Sequence, residues 1–306
     1  MPYGATFLPQ NQDPTKNPST LGSAALNAEF LRPYPGYGNI NLHQMGGTAN
    51  YNSLQTALNR RLTTGLFFGF NWTWSRALGT TSDRGNFHRI DEFTRYANYG
   101  PLTFDRHHTV NIFYTYDLPS IVRSRGWLHR LVDGWQISGG TLLQSGAPYD
   151  VGFSIPGIGN QNLTGSYTEG TRIGLIGNPL NGTSDSPYNR LNPAAFALPR
   201  VGSRGLETPV RYLRGPRINN TSLSLQKSFS FTEQARIELR ADAFNVFNHT
   251  QFSGINSTIN FTSLTNPAIT NLYLKADGSV NNINGFGTVS GARDPRIMQL
   301  VVRIQF

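Results

Sequence analysis

Two adjacent histidines, His107 and His108, are the first residues that invite a chemical reading. A metal centre needs several ligands converging on one point, and neighbouring strand residues point to opposite faces. The segment from Thr109 onward alternates as a strand, so the pair is read as diverging. Asp91 and Glu92 sit side by side in a polar loop, with nothing to space them as a general acid and base. No HExxH, GxSxG or phosphate-loop spacing occurs. Gly139 and Gly140 lack a following Lys-Ser/Thr pair and read as thin strand positions. Cysteine is absent, which excludes disulfides, thiolate zinc sites and Cys nucleophiles. The expectation is a protein that is not an enzyme and carries no cofactor or resident metal.

Two patterned rows remain. Arg236, Glu238, Arg240 and Asp242 alternate in sign at every second residue, opposite Ile237, Leu239, Ala241 and Ala243. They read as a lumen-facing polar row with mutually compensating charges, or as a wall turned toward a plug or a solute. The chain ends DPRIMQLVVRIQF. Met298, Leu300, Val302, Ile304 and Phe306 share one face; Gln299, Arg303 and Gln305 share the other, with Ile297 and Val301 as apolar exceptions. A spanning strand tilted in a bilayer needs roughly 9–11 residues, which this segment supplies. Asn-x-Ser/Thr triplets at Asn162, Asn181, Asn248, Asn256 and Asn260 read as chance in a chain this rich in Asn and Thr.

The same period recurs upstream. A strand is predicted from Tyr51 to about Arg60. The clearest one follows, with Leu66, Phe68, Phe70, Trp72 and Trp74 opposite Gly69, Asn71, Thr73 and Ser75. Others carry Val110, Ile112, Tyr114 and Tyr116; then Trp135, Ile137, Gly139, Thr141 and Leu143; then Thr221, Leu223, Leu225 and Phe229; then Ile237 to Phe247. With the terminal strand this makes about seven. Their connections alternate in length. Short turns near 61–65, 118–134 and 230–234 read as periplasmic, and long loops near 77–106, 146–218 and 248–292 as extracellular. Residues 1–50 lack periodicity and read as mostly extracellular loop. The expected fold is all-β: an antiparallel transmembrane β-barrel segment with short periplasmic turns and long extracellular loops. Trp74 and Phe247 fall at outer strand ends, and Trp135, Phe229 and Phe306 at inner ends, as an aromatic girdle requires.

Gly (32), Pro (18) and aromatics dominate over charge, the usage of strands and polar loops. No apolar run approaches the roughly 18 residues of a spanning helix. Net charge is +9, and of 26 basic residues only Lys16, Lys227 and Lys275 are lysines. The arginines are scattered and form no stripe, so nucleic acid is not expected as a partner. Anionic lipid headgroups, lipopolysaccharide included, or a solvated lumen fit better. MPYGATFLPQ is no secretory signal, and a seven-strand sheet leaves two edges where bacterial barrels normally carry an even strand number. In lipid each unpaired backbone group costs several kcal/mol. A fragment of a larger barrel is expected; one further strand within residues 1–50 would instead give a small self-contained barrel.

RIELRADAFNVFNHTQF (236–252) and FGTVSGARDPRIMQLVVRIQF (286–306) resemble the end of TonB-dependent outer-membrane receptors, more narrowly the Oar-like β-barrel group of acidobacterial type. LRPYPGYGNINLHQMGGTANYNSLQTALNRRL (31–62), FNWTWSRAL (70–78) and DRHHTVNIFYTYDLP (105–119) resemble the same group. The resemblance implies a 22-stranded barrel, an N-terminal plug, energy from TonB and uptake of a solute that the sequence does not identify. It also implies that the terminal face Leu300, Val302, Ile304 and Phe306 is the signal read by the barrel-assembly machinery. The chain itself shows no plug, TonB-contacting box or signal peptide. Its expected role is the barrel wall, the outer loops and the assembly signal, in the outer membrane. The alternatives are a small porin or adhesin barrel and a soluble carbohydrate-binding β-protein.

Overall fold

A computed structural model describes residues 3–32, 34–38, 40, 47–61, 65–80, 95–119, 132–167, 170–230 and 236–306. Asp91, Glu92 and most of the three predicted periplasmic turns lie outside these residues. Seven long strands form one sheet: β1 (Ala49–Arg61), β2 (Leu66–Gly79), β3 (His108–Asp117), β4 (Trp135–Gln144), β5 (Ile218–Ser230), β6 (Arg236–Phe244) and β7 (Ile297–Gln305). Each pairs antiparallel with the next in chain order, and the two-residue strand Gly100–Pro101 extends the edge of β2. The terminal strand is shorter than the predicted 294–306 because Asp294 to Arg296 lie above its pairing with β6.

Register carries the alternation from strand to strand. Phe70 pairs with Leu58 and Ile112, and Ile112 with Thr141. Thr141 pairs with Thr221, and Leu225 with Ile137 and Ala241, which pairs with Leu300. Directly opposed residues share a face, so the apolar rows of all seven strands join into one surface. The reverse face collects Asn71, Asn111, Ser138, Ser224, Asp242 and Gln299 by the same pairings. On the apolar face the Thr141 and Thr221 hydroxyls satisfy each other at 3.0 Å. Tyr114 lies over Gly139 so closely that a Cβ there would sit 2.7 Å from its ring. The aromatic ring thus fills the space the glycine leaves.

The sheet has two free edges, β1 and β7, which are not paired with each other among the described residues. Six successive antiparallel pairings make β1 and β7 run in the same direction. Direct closure would therefore need a parallel pair in an otherwise antiparallel wall.

The outer loops depart most from expectation. Residues 146–217 and 245–296 are not plain loops but a packed body. Gly152–Ser154 pairs in parallel with Thr258–Asn260, whereas Phe252–Ile255 pairs antiparallel with Val289–Ala292. Pro148–Tyr149 pairs with Leu213–Arg214, and Gly174–Leu175 with Phe196–Ala197. Between them lies a core that includes Phe153, Leu163, Ile173, Leu191, Ile259 and Phe286. Phe153 meets Phe261 edge-on at 6.4 Å, and Phe196 meets Phe286 at 5.6 Å. Residues 3–32 join this body: Gly4 and Thr6 donate backbone bonds to Thr164 and Gly165, and Asn162 Nδ2 donates to Leu21 O at 3.1 Å.

Candidate functional site

The outer rim, where the wall meets the loop body, gathers most of the polar chemistry. Asp105 ends the connection into β3, and its carboxylate is fully buried. The amide of Ala77 in β2 donates to Asp105 Oδ1 at 2.5 Å, and Arg214 bonds Oδ2 and donates to the Asp105 carbonyl at 3.1 Å. Arg214 Nη2 also lies 2.7 Å from His107 Nε2, which is 3.6 Å from Asp105 Oδ2. One buried carboxylate thus ties β2, the start of β3 and the loop body together. His107 lies outside the spanning strands; burial, then Arg214, holds its imidazole below the ordinary value against the opposing pull of Asp105. His108 diverges as alternation requires: it stacks on Trp72 at 6.1 Å and accepts from the indole N–H at 3.3 Å.

Next to this cluster two chain segments cross at Gly146 and Gly215. A Cβ on Gly146 would lie 1.8 Å from the Gly215 carbonyl oxygen, so only glycine fits. Hollows flank the crossing. One of about 640 Å³ is lined by residues including Val110, Leu143, Arg190 and Arg217. Another of about 220 Å³ is lined by residues including Arg106, Arg293 and Ser253. Above them the loop body carries an apolar hollow of about 660 Å³ between Phe196, Leu198, Phe261 and Leu272. Arg172 braces this body against the chain before β3, donating to Thr208 O at 2.7 Å and Asn98 Oδ1 at 2.8 Å.

The predicted polar row occupies the reverse face of β6. Arg240 pairs with Asp242 at 2.8 Å, Arg236 donates to Ser228 Oγ at 2.7 Å, and Glu238 stands opposite Arg303. Ser224 and Gln226 stand opposite Asp242 and Arg240. The row is one part of a larger polar surface, and within it Arg240 and Asp242 form an ion pair.

The girdle residues sit at two heights. Trp74, half exposed on the apolar face, pairs with His108 at the outer end. Phe247 projects from the turn after β6 with 76% exposure. At the inner end Trp135 and Phe229 enclose Lys227, whose ammonium lies 5.2 Å and 5.0 Å from the two rings. That lysine was missed: it stands on the apolar face, almost wholly covered, and donates to the Asp133 carbonyl. Its parity beside Leu225 and Phe229 was the available signal. A long stem laid on apolar surface with its charge held by aromatic faces is the arrangement of an interfacial lysine.

Leu300, Val302 and Ile304 lie on the apolar face of the edge strand β7 and are 80%, 65% and 63% exposed; Phe306 follows fully exposed. Water does not tolerate such a surface over seven strands, whereas a bilayer requires it. Strands of 9 to 14 residues suit the span. The structure therefore supplies the alternation, the connection asymmetry and the two aromatic heights of a membrane wall. No curated protein matches the chain. The family model described as outer membrane beta barrel domain matches residues 5–299. That match takes in the loop body and the wall as far as the start of β7, and with the geometry above it places the chain in the outer membrane as a member of the outer membrane beta barrel domain family.

Proposed function

We propose that this chain forms the wall, the extracellular ligand-binding body and the assembly signal of an Oar-like TonB-dependent receptor, serving uptake of a solute. The observation that carries the reading is the pair of free edges that run in the same direction. Such a sheet is completed most simply by further antiparallel strands, which remove both edges from lipid. A folded body over the outer mouth, rich in hollows, suits capture of a solute before passage. In this reading the polar face meets a plug, TonB acts through that plug, and no catalytic step occurs. The exposed edge and apolar face of β7, ending at Phe306, serve as the template read by the barrel-assembly machinery, by strand augmentation.

The chain has no cysteine, so single introduced thiols report their neighbours cleanly. Asn59→Cys on β1 and Arg303→Cys on β7 would be cross-linked in outer membranes and the products sequenced. The receptor reading expects each to link to strands outside residues 49–305. A cross-link between the two positions would show self-closure and favour a small self-contained barrel.

A further inference from the structure

We propose that the hollow of about 640 Å³ at the outer rim is a binding site for a phosphorylated, acylated glycolipid of the outer leaflet. Its floor belongs to the face that meets lipid. Val110 pairs with Trp72 and with Leu143, and Leu143 with Asn219, all on the apolar side of the wall. Its roof comes from the loop body, with Arg190, Arg217 and His249 above the His108–Trp72 stack. Apolar floor and cationic roof meet at the height where acyl chains give way to headgroups.

The two arginines are available to an anion in different ways. Arg217 is exposed, with no hydrogen bond or ion pair among the described residues. Arg190 is held in place: Nη1 meets Asp185 Oδ1 at 2.9 Å, Nη2 donates to Asp185 O at 2.8 Å, and its guanidinium lies 5.4 Å from the Phe252 ring centre. Its Nε is buried without a hydrogen-bond partner among the described residues, so its charge is only partly answered within the fold. Among the described residues that line the hollow Asp185 is the one acidic side chain, and it is 91% exposed. It holds Arg190 in place and offsets one of the two arginine charges, which leaves the roof net positive through Arg217. Guanidinium groups match phosphate oxygens in geometry as well as charge. A free phosphate would leave the Val110–Leu143 floor uncovered, and a neutral lipid would leave both arginines unanswered. One molecule with both parts satisfies the whole hollow.

The protein would be extracted in mild detergent from outer membranes, in whatever assembly it forms there. Diphosphorylated lipid A would be the probe, with bound copies counted by native mass spectrometry. The proposal expects retained lipid A, a loss of about ten-fold in the Arg190→Gln/Arg217→Gln variant and a smaller loss in Arg217→Gln alone. Lys275→Gln, on a distant loop, should change nothing. Arg217→Gln removes no hydrogen bond or ion pair among the described residues, so its result stands even if Arg190→Gln disturbs the loop body. Dephosphorylated lipid A should compete poorly, and inorganic phosphate should not displace the lipid. Unchanged retention in both arginine variants would overturn the proposal, as would equal competition by the dephosphorylated lipid or full displacement by inorganic phosphate.

Discussion

The wall and the loop body are built on opposite solvent rules. Of the buried apolar side chains among the described residues, only Ala77 belongs to a wall strand. All the others lie in the outer loops and the N-terminal segment packed with them. The wall instead exposes its large apolar groups, Leu54, Leu225, Leu239 and Leu300 among them. One chain thus holds an inside-out sheet made for hydrocarbon and an ordinary water-facing body with its own core. Hydrophobic burial in water stabilises the second, while the first needs its backbone bonds closed and its apolar face solvated by lipid.

Substitutions should separate the two regions, and the largest effect is expected in the loop core. Ile259 is fully buried, so Ile259→Ala should cost the loop body about 2–5 kcal/mol. Surface protease should then cut within residues 146–217 while the spanning strands stay protected. In the wall, Leu223 stands on the apolar face midway along β5, opposite Gly139 and Ala243. Leu223→Arg should cost about 2–4 kcal/mol at that depth, read from the urea midpoint of protein folded into bilayers. Ser222→Arg, one residue away on the polar face, should cost far less. Equal costs would break the two-solvent comparison.

The joint between the regions should respond less. Asp105→Asn removes a charge from its bonds to Arg214 and the Ala77 amide, for an expected loss of about 2 kcal/mol. Loosened loops over an intact wall are the expected outcome. The smallest effect concerns His107. Its folded-state value lies below the ordinary 6.5, so the unfolded chain binds the proton more readily. Stability contributed by the neutral ring is present above about pH 6.5 and declines as pH falls below it. His107→Gln should flatten that slope in a pH series of loop proteolysis.

This difference also explains what the sequence made legible. The wall strands announce themselves because each meets lipid on one side and water on the other, which imprints period two on neighbouring residues. Phe68, Phe70, Trp72 and Trp74 are enough to place β2 and its face. The loop core has no such local imprint. Leu163, Leu191 and Phe286 stand alone among Gly, Pro and Asn, and they meet only through contacts between distant segments. The Asp105–Arg214 pair is hidden for the same reason, since 109 residues separate its members. Lys227 was legible by parity alone, but a lysine among lipid-facing positions makes sense only once Trp135 and Phe229 are seen around it.

The most direct test of the two-solvent account is thiol accessibility along β5 in intact outer membranes. Single cysteines at Ser222, Leu223, Ser224, Leu225 and Gln226 would be exposed to a water-soluble maleimide. The account predicts that positions 222, 224 and 226 label while 223 and 225 stay dark until detergent is added. Uniform labelling, or labelling at 223 and 225 in place of their neighbours, would contradict it.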